Sequence, residues 1–128
     1  MVAGIIVAHG NLAEELIRTA RTILGDFQGC RAFSNTGVST QRLYDDITAS
    51  LEGDEQCVIF VDFLGGSCSH ACLRIAADRP RTALLTGVNL PMLLAFLNKR
   101  DEVPFDRLPA AVLERAREAV QVIEPEKM

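Results

Sequence analysis

Apolar, strand-like runs alternate with stretches of helical period along the whole chain. Ala3–Ala8 (AGIIVA) is continuous and partly β-branched, which predicts a strand buried on both faces. Asn11 opens a helix, with Glu14 three residues later in the capping-box position. Leu12, Leu16, Ala20, Ile23 and Leu24 share one face of that helix, and Gly25 is placed to end it. Cys30–Ser34 reads as a second strand. After residues 35–38, Ser39 caps a helix carrying Leu43, Ile47 and Leu51.

The alternation continues. Residues 57–63 (CVIFVDF) form a strand interrupted only by an acid near its C-terminal end. Gly65 and Gly66 make a turn, and Ser67 caps a helix running to about Asp78. Residues 81–85 form a strand. Pro91 then fits the first turn of a helix, where its missing N–H costs little. Residues 92–97 contain no polar side chain, so that helix is buried or lies in an oligomer interface. A last helix covers residues 106–120, and residues 120–123 add a short terminal strand. Strands alternating with helices predict right-handed βαβ units, hence an α/β fold. The expected sheet is open and mainly parallel, in the order 2-1-3-4, with helices on both faces. One domain accounts for residues 1–128.

Charge and composition narrow the function. Lys and Arg number 13 and Asp and Glu 17, so the net charge is −4, and no basic tract exists. That excludes nucleic acid and anionic membrane surfaces, which reward clustered positive charge. No apolar run approaches the ~20 residues of a membrane span. The opening MVAGIIVAHG lacks the basic region and cleavage site of a signal peptide, and reads as a strand. The four cysteines are neither paired as CxxC nor dense enough for a disulfide scaffold. Free thiols in a cytoplasmic protein are therefore expected.

Candidate chemistry collects at one place. In an open parallel sheet, ligands bind beyond the carboxyl ends of the strands, where strand order reverses. In the order 2-1-3-4 that point lies between strands 1 and 3. His9 follows strand 1, and Asp62 lies at the end of strand 3. A carboxylate holding one imidazole nitrogen fixes the tautomer and leaves the other free as a nucleophile. It also stabilises the cation formed when that nitrogen attacks phosphorus. Two helix starts supply anion-binding N–H groups, one after His9-Gly10 and one after Gly65-Gly66-Ser67, whose hydroxyl adds a donor.

Taken singly, His9 could be a structural cap, Asp62 a strand terminator, Gly65-Gly66 a tight turn and Ser67 an N-cap. Their convergence on one sheet edge makes the functional reading the stronger one.

These residues resemble the enzyme IIA domain of the mannose-type bacterial sugar phosphotransferase system. IIVAHG (5–10) is similar to the family's phosphorylation-site segment, FVDFLGGS (60–67) to its VDxxGGS segment and TGVNLPML (86–93) to its GVNLPM segment. The resemblance implies a phosphohistidine at His9, oriented by Asp62, in a phosphotransferase that needs no cofactor and no metal. It implies the histidine phosphocarrier HPr as donor and a IIB domain as acceptor. Membrane association would be indirect, through IIC and IID subunits. It also implies a homodimer built on an exchanged C-terminal strand. Two segments depart from the family pattern. Cys68-Ser69-His70-Ala71 replaces a Pro followed by an Asn-Ala pair, and SNTGVS (34–39) replaces a loop that often carries Pro-Gly.

Four other readings stand beside this one. The donor subunit of bacterial dihydroxyacetone kinase shares the implied fold. A phosphorylated regulatory protein without sugar transport would use the same histidine. A metal or redox sensor could use Cys68, His70 and Cys72, with His9, but on a helix His70 points about 200° away from Cys68. A nucleotide binder is disfavoured, because neither GxGxxG nor a P-loop follows the first strand.

Overall fold

The computed structural model describes residues 1–127 and places four strands between two helical layers. Strands β1 (Ala3–Ala8), β2 (Cys30–Ser34), β3 (Cys57–Val61) and β4 (Thr82–Thr86) form one sheet in the order β2-β1-β3-β4. All pairings are parallel, with Gly4 opposite Cys30 on one side and Val58 on the other, and Val58 opposite Ala83. Helices α1 (Leu12–Leu24), α2 (Thr40–Ser50) and α3 (Gly66–Asp78) fill the three crossovers. Helices α4 (Leu90–Lys99) and α5 (Leu108–Glu118) follow β4, and a 3-10 turn spans Pro125–Lys127. The strand order and the two helical layers agree with the sequence reading.

The two-residue period of the strands divides the core. Ile5, Val7, Ile59 and Val61 pack against α2 and α3 through Leu43, Ile47, Ala71 and Ile75. Ile6, Ala8, Val58 and Phe60 face the opposite way, onto α1, α4 and α5. Met92, Leu93, Ala95 and Phe96 are buried on that side, so packing within the chain accounts for the apolar stretch of α4. A Cβ on Gly4 would lie 2.7 Å from Cε2 of Phe96, so α4 approaches β1 as closely as a glycine allows.

Several local expectations are corrected. α1 buries Ala13, Ile17 and Ala20, while Leu12, Ile23 and Leu24 are exposed. Alanines flanking an isoleucine make a flat stripe, which lets the helix lie close to the sheet where leucines would hold it away. Asn11 makes no side-chain cap bond, because its backbone (φ −101°, ψ 9°) is not the extended one an N-cap uses. Ser39 and Asn89 do cap, accepting from the N–H groups of Arg42 (3.1 Å) and Met92 (2.8 Å). Ser67 is not a cap: Gly65 holds that position and Ser67 lies inside the first turn of α3.

The remaining differences are at element ends. β3 stops at Val61, one residue before Asp62 turns its carboxylate back onto the backbone. β4 starts after Arg81, whose positive φ of 54° makes it a turn residue. α5 starts at Leu108 after a turn in which the Pro104 carbonyl accepts from Arg107 and Leu108. Residues 120–123 form no strand within the described chain, and Val120, Val122 and Ile123 are exposed.

Candidate functional site

The crossover from β1 runs to one side of the sheet and that from β3 to the other, so their carboxyl ends flank the switch point. His9 follows β1 and Asp62 follows β3, without a residue between. Nδ1 of His9 lies 2.8 Å from Oδ2 of Asp62. The same oxygen accepts the backbone N–H of His9 at 3.0 Å, while Oδ1 accepts that of Phe63 at 3.0 Å. Three bonds therefore fix the carboxylate in position and orientation.

The electrostatics agree with that geometry. Burial alone pushes the Asp62 carboxyl up. The backbone bond from His9, the ring bond, the Phe63 N–H and the attraction of a protonated His9 together outweigh burial and hold it below its ordinary value. An ionised Asp62 can only accept, so in the neutral ring Nδ1 carries the proton and Nε2 keeps its lone pair.

Nε2 faces the start of α3. A Cβ on Gly66 would lie 3.8 Å from Nε2 and 4.0 Å from Cε1, so the missing side chain is what leaves this nitrogen room. The ring is stacked on Phe63 with centroids 5.0 Å apart and planes at 17°. The His9 side chain keeps 41% of its surface exposed while Asp62 keeps 11%, which combines an accessible ring with a sheltered partner.

The two helix starts differ. α1 carries Glu14 and Glu15 in its first turn, which repel an anion there, whereas α3 has no acidic residue in its first turn. Gly10 turns the chain from β1 into α1 at φ 58°. Gly66, the first residue of α3, faces Nε2, and the first turn of a helix leaves N–H groups without helical partners. The Ser67 hydroxyl accepts from the Asn35 side-chain amide at 3.4 Å, which leaves its own hydrogen to donate elsewhere. Ser69 is buried and steadies the turn, accepting from Gly65 N–H at 2.8 Å.

The cysteine-centred set is taken apart by the fold. His70 is exposed and Cys72 is buried with its thiol pushed up to about 12, chiefly by burial. Among the described residues, His9, Asp62 and Cys68 instead form a group whose donor atoms all lie within 4.8 Å of one another. Cys68 Sγ is 4.0 Å from His9 Nδ1. Of the predicted cysteine-centred set only Cys68 and His9 come together; the Phe63 stack and the Asn35 contact were not anticipated from sequence. The order β2-β1-β3 was a usable signal for Asn35, since it puts the loop after β2 on the same sheet edge.

Comparison with known proteins places the chain in a family. Residues 3–113 match the family model described as PTS system fructose IIA component. The mannose-specific EIIAB component of the phosphotransferase system (PTS) of Escherichia coli strain K12 is 34% identical over 127 residues. That alignment covers 95% of this chain and 39% of the relative, so the chain spans well under half of the E. coli protein. The fructose-specific EIIA component of Bacillus subtilis is 26% identical, covering 95% of this chain and 86% of the relative. Among solved structures, phosphotransferase system component EIIA from Streptococcus agalactiae superposes over 100% of both chains with a TM-score of 0.90 at 20% identity. The mannose/sorbose-specific IIA subunit from Enterococcus faecalis gives 0.84 at 21% identity, over 96% of this chain and 95% of that one. The match over most of its length makes the chain a member of the mannose/fructose-type EIIA family of the sugar phosphotransferase system.

Proposed function

We propose that the chain is a phosphoryl carrier that accepts phosphate on Nε2 of His9 from the phosphorylated histidine carrier HPr and passes it to a IIB domain. The observation that carries this reading is the pairing of His9 Nδ1 with Asp62 Oδ2 at 2.8 Å while Nε2 faces the start of α3. Membership of the EIIA family supports the reaction class, and the EIIAB name of the E. coli relative supports a IIB acceptor. The names of these relatives also favour the sugar system over dihydroxyacetone kinase.

The residues perform separate tasks. Asp62 accepts the Nδ1 proton bond and so presents the Nε2 lone pair to phosphorus. As the Nε2–P bond forms, the donor's N–P bond breaks and the donor imidazole recovers the electron pair. The ring becomes cationic, and the Asp62 carboxylate beside it stabilises that charge. The phosphoryl oxygens meet the N–H groups at the start of α3, with the hydroxyl of Ser67 as a further donor. Gly10, Gly65 and Gly66 let the backbone come close. Transfer onward reverses these steps with a new acceptor. No step uses a metal or a cofactor.

The carrier is proposed to act in the cytoplasm as a homodimer, reaching the membrane only through IIC and IID subunits. No helix among the described residues is long and apolar enough to cross a membrane. The decisive experiment mixes the protein with phosphoenolpyruvate, enzyme I and HPr and follows an acid-labile mass gain of one phosphoryl group. His9→Ala abolishes the gain, and a variant that still acquires the label overturns the reading. Adding a IIB domain then separates relay from a purely regulatory phosphoprotein, which would keep its phosphate.

A further inference from the structure

Cys68 is buried in the first turn of α3, with Sγ 4.0 Å from His9 Nδ1, and the phosphoryl-transfer steps do not use it. A ring nitrogen of His9, a carboxylate oxygen of Asp62 and Sγ of Cys68 converge from the ends of β1 and β3 and from α3 to within 4.8 Å of one another. Imidazole, carboxylate and thiolate are the donors of a zinc site, and three protein ligands with one open position are the pattern of an accessible one. A tetrahedral zinc with ordinary bond lengths sets the N–O edge at about 3.3 Å and the N–S edge at about 3.6 Å. The N–O edge of 2.8 Å opens by about 0.5 Å, the N–S edge of 4.0 Å closes by about 0.4 Å, and the O–S edge, within 4.8 Å, closes toward about 3.6 Å. The His9 side chain is 41% exposed, and a water would take the fourth position.

We propose that His9, Asp62 and Cys68 form a binding site for a thiophilic divalent cation of the zinc class, and that its occupancy switches off the nucleophile. Binding displaces the thiol proton to solvent and gives a neutral assembly, since one carboxylate and one thiolate balance the dication. A cation on Nδ1 forces the proton of the neutral imidazole onto Nε2, whose lone pair is then no longer free to attack phosphorus. The thiolate and imidazole select against magnesium, which prefers oxygen ligands, so a magnesium-rich assay leaves the site open. The switching half of this proposal rests on the phosphoryl-carrier reading, whereas the binding half stands alone.

Binding is tested by zinc titration against a chromophoric chelator, with cobalt(II) as a spectroscopic substitute. The full chain binds one ion, and its cobalt form shows a thiolate-to-metal charge-transfer band. Cys68→Ala lowers affinity by about tenfold or more and removes the band. Cys72→Ala, a buried thiol outside the donor group, changes neither and controls for core disturbance. A cobalt form without the thiolate band, or equal affinity in Cys68→Ala, overturns the site.

Switching is tested by adding zinc before purified phospho-HPr. Zinc blocks labelling of the wild type, a chelator restores it, and Cys68→Ala is labelled at zinc levels that silence the wild type. Labelling of a zinc-loaded wild type overturns the switch. A wild type that binds zinc through Cys68, yet takes no phosphate even without metal, sinks the carrier reading and leaves the metal site intact.

Discussion

Oδ2 of Asp62 accepts from two groups of the same residue, the ring Nδ1 of His9 at 2.8 Å and its backbone N–H at 3.0 Å. The carboxylate thus grips both the end of β1 and the side chain leaving it, so the ring cannot turn without breaking a bond. Asp62→Asn keeps the volume but replaces a charged acceptor by an amide that can donate to the ring and favour the wrong tautomer. Single-turnover labelling from phospho-HPr is expected to slow by about 10²-fold or more while the variant stays folded. A change of less than twofold refutes the orienting role.

The same contact makes stability depend on pH. The folded-state value of Asp62 is depressed, so its contribution is fully present above the unfolded carboxylate value of about 3.9. It is lost as pH falls through the lower, folded value. Urea denaturation of the wild type and Asp62→Asn should therefore differ fully at neutral pH, begin to converge below about pH 4 and meet only below the depressed folded value. Curves that stay equally far apart across that range contradict the assignment.

Gly66 offers a way to separate backbone strain from crowding of the nucleophile. Its φ is 77°, and a Cβ there sits 3.8 Å from Nε2, in the space the phosphoryl group would enter. Gly53 has a φ of 88° with nothing within 4 Å of its would-be Cβ, so it carries the strain without the crowding. Both alanine variants are expected to lose about 1–2 kcal/mol of stability. Only Gly66→Ala should also be labelled more slowly. Equal labelling rates would place the incoming phosphoryl group elsewhere.

The sheet order and the juxtaposition of His9 with Asp62 could be read from sequence, because both follow from strand alternation and from which residues end strands 1 and 3. The buried face of α1 could not. Period alone does not distinguish a leucine stripe from the Ala13-Ile17-Ala20 stripe beside it, and the choice depends on how close the helix must lie to the sheet. The start of α3 shows the same limit, since a serine after two glycines suits either an N-cap or a first-turn position. Contacts such as Phe63 with His9 and Asn35 with Ser67 join different segments through particular rotamers, and one-dimensional patterns carry no record of these.

The outer edge of β4 has no neighbouring strand among the described residues, and beside it runs a groove lined in part by Leu84, Leu85, Met92, Leu113 and Ala116. Val120 lines this groove just after α5, and Val120, Val122 and Ile123 stay exposed, with Val122 at 89%. An unpaired edge next to exposed β-branched residues is a template for strand addition from another copy. If residues 120–123 of one chain pair with β4 of a second, both liabilities are covered at once. Sedimentation at micromolar concentration should then show a dimer for the wild type and a monomer for Val122→Asp combined with Ile123→Asp. Because the His9–Asp62 contact is made within one chain, the monomeric variant should still accept phosphate. A wild type that sediments as a monomer eliminates the exchange, and a variant that remains dimeric moves the interface to another surface.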